Sequence, residues 1–237
     1  MAAPLGTAAA SPSTRPIDLA TITQAAVTRI PATSATRHSQ GPIRTDRRRE
    51  YLVGGCRRVP GVPNMPVHRL NHAVLYVRDV ERSVAFYGDL LGFRQVMGFP
   101  GAAFLQAPGS TNDHDLGLFQ LGPAAGPSQA GRATVGLYHL AWEVDTLAEL
   151  ERLAGRLGEA GALVGASDHG TTKSLYAKDP DGLEFEVAWV VPAGLLDQDA
   201  LAARERIGPL DLDREKRRYG AETRGGVGIS VPDPAQA

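Results

Sequence analysis

The chain has 237 residues, 43% of them hydrophobic and 22% charged, an ordinary balance for a globular protein with room for one or two domains. Its single cysteine, Cys56, excludes an intramolecular disulfide and a cysteine-rich zinc site, and no run of about 18 apolar residues is present to span a membrane. The formal charge of −1 hides an imbalance: residues 1–66 carry nine arginines against Asp18, Asp46 and Glu50, leaving about −7 on the remainder, which argues against a nucleic-acid-binding core. A cytosolic protein is expected, with no membrane and no nucleic-acid partner.

Residues 1–66 are rich in Ala, Pro, Ser, Thr and Arg, with eleven Leu, Ile or Val and no Phe. Ordering costs roughly 1–2 kcal/mol per residue, more than such a segment offsets by burial, so it reads as a disordered tail. A functional start near Met65 and an arginine-rich targeting segment are the other readings, although no continuous apolar stretch suits a secretion signal.

Ordered structure is expected from Val67. The run from Leu70 to Val77 reads as a strand, with His72 in its midst. Asp79 then caps a helix in which Val80, Val84, Tyr87, Leu90 and Leu91 recur at helical spacing, and Gly92 closes it. Short strands are expected near 93–98, 102–106 and 115–121, before a Gly/Pro/Ala/Ser linker from Gly122 to Arg132.

The pattern then starts again. Val135 to Val144 reads as a strand with its own histidine, His139. Thr146 and Glu149 form a capping box for a helix striped by Leu150, Leu153, Ala154 and Leu157. Two apolar strands, about 174–178 and 183–190, flank the turn Asp179-Pro180-Asp181-Gly182, a tight hairpin. Aligning His72 with His139 reveals an internal repeat of about 67 residues, each copy strand–helix–strand–strand–strand. Residues 192–237 hold two short helices, near 197–206 and 211–219, that either fold back over the domain or mediate a dimer.

In the last strand, side-chain alternation puts Glu184, Glu186 and Ala188 on one face and Phe185, Val187 and Trp189 on the other. A carboxylate amid apolar residues must be solvated, paired or bound to a metal, because burying its charge alone is too costly. Two histidines at equivalent points of a repeat, with Glu186, make a two-histidine, one-carboxylate set that leaves metal positions open. Non-haem Fe(II) suits it, with Mn(II) or another divalent ion as the alternative.

The chain resembles the vicinal oxygen chelate superfamily of glyoxalases, fosfomycin-modifying enzymes, bleomycin-binding proteins and extradiol ring-cleaving dioxygenases. The resemblance covers about 67–191, through Asn71-His72-Ala73, Tyr138-His139-Leu140 and Asp179-Pro-Asp-Gly-Leu-Glu-Phe-Glu186. It implies an α+β fold, two βαβββ modules (67–122 and 133–191) forming an open, barrel-like cup around a metal. The family's carboxylate ligand stands four residues after the turn glycine, which selects Glu186 over Glu184, so the metal ligands implied are His72, His139 and Glu186. The run His114-Asp-Leu-Gly-Leu118 looks like the extradiol segment whose histidine is an acid/base. Tyr176, ten residues before Glu186, matches the tyrosine that hydrogen-bonds substrate oxygen, and His169 resembles the histidine behind it. Glyoxalases draw a further ligand from the last strand of the first module, where Leu116, Leu118 and Gln120 offer no carboxylate and Gln120 alone is left as a weak ligand.

The expected function is therefore metal-dependent extradiol cleavage of a catechol-like vicinal diol, with O2 as co-substrate and a homodimer left open. The alternatives are a glyoxalase-like lyase or isomerase, a thiol transferase of the same superfamily, and a non-catalytic small-molecule-binding or resistance protein.

Overall fold

The structure is a computed structural model that describes residues 69–130 and 134–226. The expected disordered tail, 1–66, lies outside the described residues.

The first module runs β1 (Ala73–Val77), α1 (Val80–Leu91), β2 (Arg94–Phe99), β3 (Ala102–Gln106) and β4 (Leu116–Gln120). The second runs β5 (Leu140–Glu143), α2 (Leu147–Glu159), β6 (Leu163–Asp168), β7 (Thr172–Lys178) and β8 (Glu184–Val190). Each builds one four-stranded sheet of the same topology, β1-β4-β3-β2 and β5-β8-β7-β6, with the first pair parallel and the rest antiparallel. The α+β class and the two βαβββ modules are thus as expected. No strand pairing joins the two sheets among the described residues, so they form no closed barrel.

The helix ends follow their local chemistry. Asp79 and Thr146 are the N-caps, each side chain accepting the amide N–H three residues on, and Gly92 ends α1 at φ 76°. The hairpin turn closes through Gly182 N–H to Asp179 O at 2.9 Å, with Gly182 at φ 83°. The strand boundaries differ from the sequence reading. His72 and His139 stand one residue before β1 and β5 instead of mid-strand, because the ladders begin at Ala73↔Leu116 and Leu140↔Phe185.

Each helix covers one face of its sheet. Leu75, Val77, Leu105, Leu116 and Leu118 meet α1, whereas Leu175, Phe185, Val187 and Trp189 meet the leucine stripe of α2. The modules join through α1. Phe86 packs on both cores, Tyr87 donates to Asp179 Oδ2 at 3.3 Å, and Arg78 and Arg82 reach Asp181 at 2.9 and 2.8 Å. Past β8, the chain folds back on the second module through α3 (Gln198–Ala203) and α4 (Leu212–Tyr219), with Tyr219 against Trp189 at 5.5 Å between ring centroids.

Candidate functional site

The helix-free sheet faces carry the expected site residues, and strand alternation decides which side chains reach them. Leu75 and Val77 of β1 are buried under α1, so His72, Val74 and Tyr76 take the opposite face. In β8 the core takes Phe185, Val187 and Trp189, leaving Glu184, Glu186 and Ala188 on the open face. Tyr176 is the direct cross-strand partner of Glu186, and Ser174 that of Ala188.

Glu186 is the hub. His139 Nε2 lies 3.1 Å from its Oε2, and Ser174 Oγ donates to its Oε1 at 2.5 Å. The Tyr176 hydroxyl and His169 Nε2 are hydrogen-bonded at 2.9 Å, and the Tyr176 and His139 rings lie 5.8 Å apart. Burial, then the Glu186 carboxylate, pushes Tyr176 up to about 12, so it is a protonated donor at any physiological pH.

A second group gathers on the first module. The His72 and His114 rings are 4.5 Å apart, His114 sits edge-on to Phe104 at 5.1 Å, and its Nδ1 is 3.0 Å from Asp113 Oδ1. Asp115 builds the loop that holds His114. Its carboxylate accepts from Ala107 N–H, Ser110 Oγ and Asn112 Nδ2 at 2.7–2.8 Å, while its carbonyl accepts from Ala73 N–H. Asn112 Nδ2 also donates to Asn71 O, so the loop is tied to the residue before His72.

Of the six expected site residues, the structure brings His139, Glu186, Tyr176 and His169 into one group and His72 with His114 into another. Among the described residues no three His, Cys, Asp or Glu side chains meet closely enough to hold a metal. The His139–Glu186 pair nevertheless has the right donors for a divalent cation. Its 3.1 Å spacing is near the ~3 Å between adjacent ligands each about 2.1 Å from a metal. His139 Nδ1 is buried without a hydrogen-bond partner among the described residues, a lack that costs about 1–3 kcal/mol where no other group satisfies it.

Register reveals what the sequence did not. Ala73 pairs with Leu116 as its repeat equivalent Leu140 pairs with Phe185, so the first-module counterpart of Glu186 is Gly117. A Cβ at Gly117 would meet Val74 Cγ2 at 3.4 Å and the Phe104 ring at 3.6 Å, so this position faces apolar side chains and offers no second carboxylate. Leu116 and Leu118, the strand positions considered from sequence, are core residues. Gln120 Oε1 accepts from Val80 N–H at the start of α1. Ser174 stands two residues before Tyr176 on the same face of β7. Its bond to Glu186 depends on the β7–β8 register.

A catechol-2,3-dioxygenase of Bacillus subtilis is 33% identical over 118 residues, 50% of this chain and 40% of that protein. A biphenyl-2,3-diol 1,2-dioxygenase 3 of Rhodococcus globerulus is 35% identical over 120 residues, 50% of this chain and 62% of that protein. A lactoylglutathione lyase of Neisseria meningitidis is 29% identical over 133 residues, 50% of this chain and 88% of that protein. The matches to the two dioxygenases thus span less than two thirds of their lengths. The model of one family matches residues 69–187, from before β1 to Val187 within β8, a span that includes all six expected site residues. With its paired βαβββ modules and repeated histidines, the chain belongs to the glyoxalase/bleomycin resistance protein/dioxygenase superfamily.

Proposed function

We propose that the protein is a metal-dependent extradiol dioxygenase that cleaves the ring of a catechol-like diol beside its two hydroxyls, using O2. The observation that carries this reading is an asymmetry between the modules. Both carry the histidine, but only the second carries the carboxylate, Glu186, and it is flanked by the Tyr176 hydroxyl. Two histidines and one carboxylate leave more open metal positions than a four-ligand set does, and a diol plus O2 needs them. The names of the Bacillus and Rhodococcus relatives point the same way.

His139 and Glu186, with His72 from the first module, would hold the metal, Fe(II) by donor type or else Mn(II). When bound, it would act as a Lewis acid on the diol, lowering the pKa of its oxygens. Ser174 fixes the Glu186 carboxylate by occupying Oε1. Tyr176, protonated and backed by His169, offers its hydroxyl as a donor to a substrate oxygen and steadies charge there. His114 is the acid/base that takes or returns the proton, its ring oriented by Asp113 and Phe104.

The test is an aerobic panel of catechols with protein loaded anaerobically with Fe(II), following oxygen uptake and the yellow ring-fission product. Oxygen-linked formation of that product is expected. Oxygen-independent isomerisation of an α-ketoaldehyde–thiol adduct, with no catechol turnover, would sink the reading. Among the described residues, Gly117 and the engaged Gln120 leave that lyase chemistry without a ligand from β4.

A further inference from the structure

We infer that the C-terminal extension is a positioning element of the site, and that Arg214 and Glu215 on α4 fix His169 against the Tyr176 hydroxyl. The inference rests on the function proposed above for Tyr176 and goes beyond it to how that hydroxyl is aimed.

His169 occupies the tight loop between β6 and β7. The loop is closed by His169 N–H to Thr172 O and Thr171 N–H to His169 O, both at 2.9 Å. The extension holds both neighbours of His169. Asp168 exchanges two backbone hydrogen bonds with Gly208, at 2.8 and 2.9 Å, in an isolated antiparallel bridge. Gly170 lies against α3 so closely that a Cβ there would stand 2.4 Å from Ala200 O.

Behind the loop sits a four-charge network. Asp168 Oδ1 accepts from Lys173 Nζ at 2.6 Å and from Gly170 N–H at 2.8 Å, while Oδ2 accepts from Arg214 at 3.0 Å. Lys173 Nζ also donates to Gly170 O at 3.0 Å and lies 3.0 Å from Glu215 Oε2, off the hydrogen-bond direction. Arg214 Nε closes the circuit on Glu215 Oε1 at 2.7 Å. Lys173 is 1% exposed and Glu215 0%.

The charges balance, two against two, but burying ion pairs is a poor source of stability, and apolar residues of like size often do as well. What a directional network supplies is one fixed geometry. Its bonds converge on Asp168 and Gly170, the residues on either side of His169, and His169 reaches Tyr176.

The experiment uses the full chain, metal-free, with 15N-labelled histidine. The His169 ring-nitrogen signal is assigned by its loss in His169→Gln, and Tyr176→Phe gives its position without the hydroxyl partner. Arg214→Gln and Glu215→Gln are each expected to move the signal toward the Tyr176→Phe position. In metal-loaded protein turning over a catechol, they should lower kcat with KM within about twofold, a loss of transition-state stabilisation. Arg214 is 55% exposed, so if Glu215→Gln fails to fold, Arg214→Gln decides alone. A His169 signal at its wild-type position in the folded variants would overturn the proposal, leaving the extension a merely stabilising wrap. If no catechol is turned over, the nitrogen spectra still decide it, so its failure and that of the functional reading are separable.

Discussion

Glu186 shows how much a side chain's job depends on its immediate partners. Its Oε2 faces His139 and its Oε1 is engaged by Ser174, so only one oxygen remains for a metal. Ser174→Ala should leave the fold intact and weaken metal binding about 10–100-fold, the usual effect of losing a bond that orients a ligand; chelator competition measures it, and unchanged affinity would remove Ser174 from the site. The roles of His114 and Tyr176 are tested apart from the metal. His114→Phe should retain metal and bind catechol while turnover falls roughly 10²–10⁴-fold. Tyr176→Phe should be milder, since one hydrogen bond to a charged oxygen is worth about 1.5–3 kcal/mol. Steady-state kinetics with metal content measured on the same samples checks both.

Among elements, the β6–β7 hairpin is tightly constrained at Gly170. Gly170 has φ 76° and a Cβ there would overlap Ala200 O and Ala203, so neither the backbone nor the neighbour tolerates a side chain. Gly170→Ala should cost at least about 1–3 kcal/mol from the backbone conformation alone, with a clash against α3 added. A clear fall in melting temperature is expected, and a fall too small to resolve would mean that α3 moves away freely. The same argument separates this glycine from Gly182, where the positive φ is needed but nothing stands within 4 Å.

For the molecule as a whole, the joint between the modules sets a pH dependence. Asp179 caps the hairpin, accepting from Asp181 and Leu183 N–H at 2.9 and 2.8 Å, while Tyr87 of the other module donates to its second oxygen. Burial raises its pKa from the ordinary carboxylate value, more than those N–H donors lower it. The folded protein therefore binds this proton more tightly than the unfolded chain. Its contribution to stability is full below the unfolded carboxylate pKa of about 4 and is lost as pH rises through the raised folded value. Asp179→Asn keeps an acceptor for both amides and removes the titration. The melting temperature of the variant relative to wild type should rise with pH across that interval, and parallel curves would exclude Asp179 as the source.

Features that depend on a few neighbouring residues were legible in the chain alone. Asp79 and Thr146 announce helices because their side chains cap amides three residues away, and Asp179-Pro-Asp-Gly182 announces a hairpin because proline and glycine preset its dihedrals. The repeat was legible because β1 and β5, like α1 and α2, begin at matching offsets from His72 and His139. What only the tertiary structure decided were the pairings made across distance. Sequence alternation sorts the faces of β4, but only its register against β1 makes Gly117 the counterpart of Glu186. Lys173 falls just before the strand expected near 174–178, and in the structure it stands on the apolar side of β7 with Leu175 and Ala177. It becomes a buried cation because α4, some forty residues on, returns with Glu215 to compensate it. Arg78 and Asp181 are 103 residues apart and meet only because α1 docks on the second module's hairpin. Local rules write the elements, since their energies are local; the site lies in non-local packing, where a partner's identity depends on the whole fold.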